Sequence, residues 1–92
     1  MNVYCRDHGR STGVVDTAPG GFPQFHTRTP RWRNRNAAEL GHPDWRSNSW
    51  TNLREATQPE IRAWCRECPG PRYLPVDELL EAFEAGRPWI SL

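Results

Sequence analysis

Apolar positions in this chain come in short bursts, and only one burst has helical spacing. Val76, Leu79, Leu80 and Phe83 fall at i, i+3, i+4 and i+7, the stripe of an amphipathic helix. Asp77 and Glu78 suit its positive end, and Gly86 followed by Pro88 stops it. A helix is therefore predicted over 77–85, with Glu81 and Glu84 facing outward. Val3-Tyr4 and Gly13 to Thr17 read as two strands. Pro19-Gly20-Gly21 is a turn signal, and Phe22 to Thr27 alternates loosely enough to pair back on Val14–Thr17 as a hairpin. Pro23 has no N–H, which predicts an edge strand there, with Phe22 and Phe25 packing inward. Pro71 to Leu74 should be extended, and Trp89 to Leu92 should add a last strand or pack on the helix.

Two stretches pull in different directions. Thr57-Gln58-Pro59-Glu60 has the form of a capping box with proline just inside a helix start, and Ile61 and Trp64 then share one face. One or two helical turns are expected at 58–64, with a strand over Ile61 to Trp64 as the alternative. Between 37 and 56, Ala37 to Leu40 can form a single helical turn ended by Gly41. The segments around Trp45 and Trp50 look like ordered loops whose tryptophans fold back over a small core; a partner-binding aromatic patch is the sharper alternative.

Composition narrows the class. The chain has 92 residues, 36% of them hydrophobic, with nine prolines and seven glycines. A single domain over 1–92 follows, with a loop insertion at about 28–56 and too little apolar material to hold itself without a staple. No apolar run reaches the ~20 residues that a membrane helix needs, and a soluble cytoplasmic protein is the expectation. All twelve basic residues are arginine, which removes any lysine-dependent chemistry and hints at a G+C-rich genome. With a formal charge of +1, broad attraction to nucleic acid is not expected from charge alone.

The staple is written in two short hooks, Cys5-Arg6-Asp7-His8 and Cys65-Arg66-Glu67-Cys68. Three thiols and one imidazole in two C-x2-[CH] steps are the ligand set of a closed tetrahedral Zn²⁺ site, with Cys5, His8, Cys65 and Cys68 as ligands. Such a step lets both side chains reach one ion while backbone N–H groups of the turn point at the thiolates. Gly9 and Pro69-Gly70 let the chain turn after each second ligand. Other readings fit less well. Disulfides would leave one of three cysteines unpaired, and a thioredoxin-like Cys65/Cys68 pair lacks its βαβ setting. His26 or His42 in place of His8 is the alternative ligand set. Closing the chain between the hooks costs roughly 4 kcal/mol of entropy, whereas structural zinc returns on the order of 10–16 kcal/mol. The fold should depend on its metal. With four protein ligands the site has no open position for water, so the metal reads as structural rather than catalytic.

Cys5-x2-His8-Gly9 with Cys65-x2-Cys68-Pro69-Gly70 resembles the paired knuckles of zinc-ribbon proteins, in particular the small ones of G+C-rich bacteria and their phages. The resemblance implies a β-rich platform around one structural metal, here a small metal-stapled α+β fold with a C-terminal amphipathic helix and long irregular loops. It implies binding to DNA, RNA or protein. A fainter resemblance is to HNH endonucleases, with Val15-Asp16 after the first knuckle and Asn52-Leu53 before the second. That family's general-base histidine is replaced by Thr17, and Pro69-Gly70-Pro71 stands where its Asn-bearing helix would follow. His26 and His42 are the histidines left for base and metal ligand.

The best-supported function is thus a zinc-stabilised binding module without catalysis, and a divergent HNH-like metal-dependent nuclease is the alternative. No motif for a small-molecule substrate is present. For a partner surface the chain offers Arg28, Arg31, Trp32, Arg33 and Arg35, a basic run without acid and with an aromatic inside it. That pattern suits phosphate contact with base stacking. The plainer reading is a solvated loop whose arginines pair with the acidic C-terminal helix and whose Trp32 packs on the core. Protein and nucleic acid both remain open as partners.

Overall fold

The structure is a computed structural model and describes residues 1–28 and 48–92. Among these residues the chain is mostly strand with one helix near its C-terminal end. The strands are β1 (Asn2–Tyr4), β2 (Ser11–Thr17), β3 (Pro23–Arg28), β4 (Asn48–Asn52), β5 (Glu60–Ala63), β6 (Arg72–Pro75) and β7 (Trp89–Ser91), with helix α1 (Val76–Glu84) between β6 and β7. Five strands form one sheet in the order β4-β3-β2-β1-β7, and β5 and β6 form a separate antiparallel pair. Within the larger sheet β1 to β4 are antiparallel neighbours, whereas β7 lies parallel to β1, with Val3 opposite Ile90.

Val3, Val15, Phe25, Ile61, Ala63, Leu74, Leu79 and Ile90 are buried in one apolar cluster, so it joins the two sheets through the helix. The alternation in β5 turns Ile61 and Ala63 into this core, β2 adds Val15 to it, and Thr12 is buried where the β1–β2 register shifts. The Phe25 ring crosses β2 at Gly13, where an added Cβ would stand 2.6 Å from Phe25 Cζ and 2.5 Å from the His26 carbonyl oxygen. Two buried threonines tie neighbouring strands of the larger sheet by hydrogen bonds. Thr12 donates to the Val3 carbonyl at 3.2 Å, and Thr27 donates to the Thr12 carbonyl at 2.6 Å.

The C-terminal helix starts one residue earlier than its stripe predicts and ends one residue earlier. Its first N–H finds a backbone partner instead of a side-chain cap: Val76 N–H donates to the Pro59 carbonyl at 3.0 Å. At the other end Gly86 has a φ of +75°. Its N–H bonds the Phe83 carbonyl and Arg87 N–H bonds the Ala82 carbonyl. These paired bonds form the closing motif that a left-handed glycine allows. Val76, Leu79 and Ala82 are the buried face, while Leu80 and Phe83 pack on it half-buried.

Several expectations need correction. Residues 60–63 form strand β5 rather than a helix. The exposed-buried alternation from Glu60 to Ala63 matches its pairing with β6, and Pro59 supplies the carbonyl that caps α1. Strand β3 is not an edge, because β4 pairs along it from Gln24–Asn52 to Arg28–Asn48. Pro23 is tolerated because it opens the strand, where its carbonyl accepts Leu53 N–H at 3.0 Å. The stretch 48–52, expected as loop within an insertion, is therefore part of the sheet. Trp50 does not cover the core: it is 59% exposed. The turn expected at 37–40 and the loop at Trp45 lie outside the described residues. No helix among the described residues is long and apolar enough to cross a membrane.

Candidate metal centre

Each hook is the tip of an antiparallel strand pair. The first joins β1 to β2 and the second joins β5 to β6. In the first, Cys5 N–H donates to the Arg10 carbonyl and Gly9 N–H to the Cys5 carbonyl, both at 2.7 Å. In the second, Cys68 N–H donates to the Cys65 carbonyl at 3.3 Å. The hooks repeat one local arrangement. The Cys5 sulfur accepts the N–H groups of Asp7 and His8, and the Cys65 sulfur accepts those of Glu67 and Cys68.

Packing of the two sheets brings the tips together. One ligand atom from each of Cys5, His8, Cys65 and Cys68 lies within 4.8 Å of all the others, a group that can hold a metal ion. His8 Nδ1 is 3.5 Å from Cys5 Sγ, 3.7 Å from Cys65 Sγ and 3.4 Å from Cys68 Sγ, and the Cys5 and Cys68 sulfurs are 3.8 Å apart. These spacings can be tested against a bound ion. Bonds of about 2.3 Å to sulfur and about 2.0–2.1 Å to nitrogen, at tetrahedral angles, place sulfurs about 3.8 Å apart and sulfur and nitrogen about 3.6 Å apart. The residues fit the group. The three cysteines are free thiols, buried in a cluster of their own, and the exposed His8 closes it from the solvent side.

Electrostatics at the cluster favours anionic sulfur at Cys5 and opposes it at Cys65. Burial pushes the Cys5 thiol up, but hydrogen bonds from the His8 ring and from the Asp7 and His8 N–H groups outweigh it and hold the thiol at about 7. Burial pushes the Cys65 thiol up as well, and contacts with Cys5 and Cys68 add to that. Arg72 Nη1 donates to Cys68 Sγ at 3.5 Å and to Asp7 Oδ2 at 3.0 Å. The Cys68 contact, ahead of the Asp7 one, keeps this guanidinium firmly charged against the cost of burial. Arg72 thus links the first hook to the second beside the sulfurs, while its Nε is buried without a partner. A more exposed pair, Arg10–Glu67 at 3.5 Å, spans the same two turns. Arg72 escaped the sequence reading. Its position four residues after Cys68, in a segment read only as extended, was the available signal.

His26 does not complete the set. Its Nε2–H donates to Asp16 Oδ2 at 3.0 Å, and its ring stacks on Trp50 with centroids 4.6 Å apart. His42 lies outside the described residues, as do Arg31, Trp32, Arg33 and Arg35. Arg28 closes β3, its backbone opposite Asn48. Among the described residues the acidic helix makes an ion pair with an arginine not singled out in the sequence, Arg54 to Glu84 at 3.4 Å. Of the residues that resemble the nuclease family, Asn52 ends β4 and accepts Arg54 N–H on its side chain, and the second hook leads into strand β6 rather than a helix. In comparisons with known proteins, no family model, curated protein or solved structure matches this chain.

Proposed function

We propose that the chain is one zinc-stabilised binding domain, with Zn²⁺ on Cys5, His8, Cys65 and Cys68 and no catalytic role for the metal. The observation that carries this reading is the four-donor cluster at the tips of two strand pairs, in which the three sulfur–nitrogen separations and the Cys5–Cys68 separation match tetrahedral coordination. Three thiolates with one imidazole favour zinc over harder ions, which take oxygen ligands. Two hooks at hairpin tips also agree with the zinc-ribbon resemblance. Three unpaired thiols suit a reducing compartment such as the cytoplasm. Bound zinc would hold the hooks and neutralise two of the three thiolate charges, and Arg72 stands beside the remainder.

A nucleic-acid partner is the reading favoured by one further observation. Strand β3 delivers Arg28 two residues beyond His26, whose ring stacks on the exposed Trp50. In the sequence Arg28 is followed by Arg31, Trp32, Arg33 and Arg35, so the basic run comes directly after the strand that carries His26 against the exposed Trp50. Phosphate contacts would each add about 0.7–0.9 to the salt slope, and stacking of Trp32 on a single strand would add ~1–3 kcal/mol. The test titrates labelled single- and double-stranded oligonucleotides at low and moderate salt, with Mg²⁺ or Mn²⁺ in a parallel arm. Binding is expected to weaken with salt and to be lost in the triple change Arg31→Ala, Trp32→Ala, Arg33→Ala. No binding at low salt removes nucleic acid and leaves a protein partner. Metal-dependent strand cleavage would overturn the non-catalytic reading.

A further inference from the structure

We infer that the groove between α1 and β7 docks an extended basic peptide, which adds a strand to the outer edge of β7. The inference rests on the reading of the chain as a binding module and names the kind of partner it takes. Strand β7 ends the five-stranded sheet, and among the described residues no strand pairs with its outer side. The hydrogen bonds to β1 define which groups remain. Asn2 N–H donates to the Pro88 carbonyl at 3.0 Å, and Leu92 N–H donates to the Tyr4 carbonyl at 2.9 Å. Alternate residues of a parallel strand face the same neighbour. Pro88, Ile90 and Leu92 therefore face β1, and the N–H and C=O groups of Trp89 and Ser91 face outward. Those four groups are a template for an incoming extended backbone.

A groove of about 440 Å³ runs beside this edge, with Glu78 and Glu81 of α1 and its C-cap Ala85 on one side and Trp89 and Ser91 on the other. Glu78 and Glu81 are exposed and have no ion-pair partner among the described residues. Among the described residues the one guanidinium on the groove, Arg87, lies 5.9 Å from the Trp89 ring centroid. Trp89 itself is 50% exposed. In an added strand, the residue opposite Ile90 turns to the helix side, and its neighbours turn to the side of Trp89. The matching peptide carries lysine or arginine at alternate positions, toward Glu78 and Glu81, with apolar residues between them for Trp89. A second copy of the chain fits less well, because pairing two β7 edges about a two-fold axis brings both pairs of glutamates together.

The test uses the zinc-loaded full chain and a fluorescein-labelled heptapeptide alternating lysine and valine, capped at both ends. Anisotropy should show binding at least tenfold tighter than for the glutamate–valine counterpart. Methylation of the alternate backbone nitrogens that face β7 should weaken it at least tenfold. The double change Glu78→Arg, Glu81→Arg should do the same while zinc content stays at the wild-type value and the melting temperature falls only slightly, through loss of an acid from the first helical turn. Saturation should slow exchange of the Trp89 and Ser91 amide protons. Equal binding of either charge, or unchanged exchange at those two amides, overturns the proposal. So does dimerisation that protects the same amides without peptide. If the peptide fails to bind a chain that holds one zinc, the groove is wrong and the module reading stands. A chain without zinc overturns the module reading itself.

Discussion

Cys5 and Cys65 occupy equivalent places in two hooks, yet their thiols are shifted in opposite directions. Cys5 is held at about 7, against an ordinary 9.0, because the hydrogen bonds of its turn outweigh burial. Cys65 is raised, by burial first and by its sulfur neighbours second. The signs matter for the metal-free chain. A depressed thiol such as Cys5 stabilises the fold fully above pH 9 and loses that contribution as pH falls through about 7. A raised thiol such as Cys65 contributes below its ordinary value and loses the contribution as pH rises through the folded one. A bound ion requires every thiol ionised, so protons compete with it. Each thiol still protonated weakens metal binding about tenfold per pH unit. Cys65 exacts this already between pH 8 and 7, and Cys5 joins below about 7. Zinc affinity, measured by competition with a chromophoric chelator from pH 8 to 5.5, should therefore fall and steepen below about 7. A flat profile would contradict the ligand assignment.

The elements show what local sequence can and cannot announce. The α1 stripe and the Gly86 stop are legible because they need no distant partner; the structure shifts the boundaries by one residue. Leu79 is its fully buried member and Leu80 only half-buried. Leu79→Ala should cost roughly 2–5 kcal/mol in denaturant unfolding; a loss below about half a kcal/mol would mean that the helix does not pack on the sheets. Strand β7 was also readable, since Trp89 to Leu92 is too apolar for a solvated tail. Strand β4 was not, because Asn48-Ser49-Trp50-Thr51-Asn52 has mostly turn-forming residues and owes its conformation to pairing with β3. At 57–60 the capping-box letters are present, but the alternation that follows pairs with β6, and tertiary contact overrides the helical signal.

At the scale of the molecule, the two hooks were legible because every cysteine belongs to one. How the tips meet was not, because it depends on how a five-stranded sheet and a two-stranded pair pack across α1. A two-stranded pair is marginal by itself. Here β5 and β6 are held by the shared core on one side and by the Cys65 and Cys68 sulfurs beside Cys5 and His8 at their tip. The proposed zinc would therefore join the sheets with two ligands from each. Structural zinc contributes on the order of 10–16 kcal/mol, and a domain's whole stability is about 5–15 kcal/mol. The metal term is as large as the total, so the chain should not stay folded without it. The most direct measurement is thermal unfolding followed by circular dichroism, before and after a strong chelator, with zinc counted by elemental analysis in the same samples. About one zinc per chain and a cooperative transition are expected before chelation, and loss of both afterwards, with Cys68→Ala behaving like the chelated protein. An unchanged transition in a chain shown to hold no metal would contradict the account.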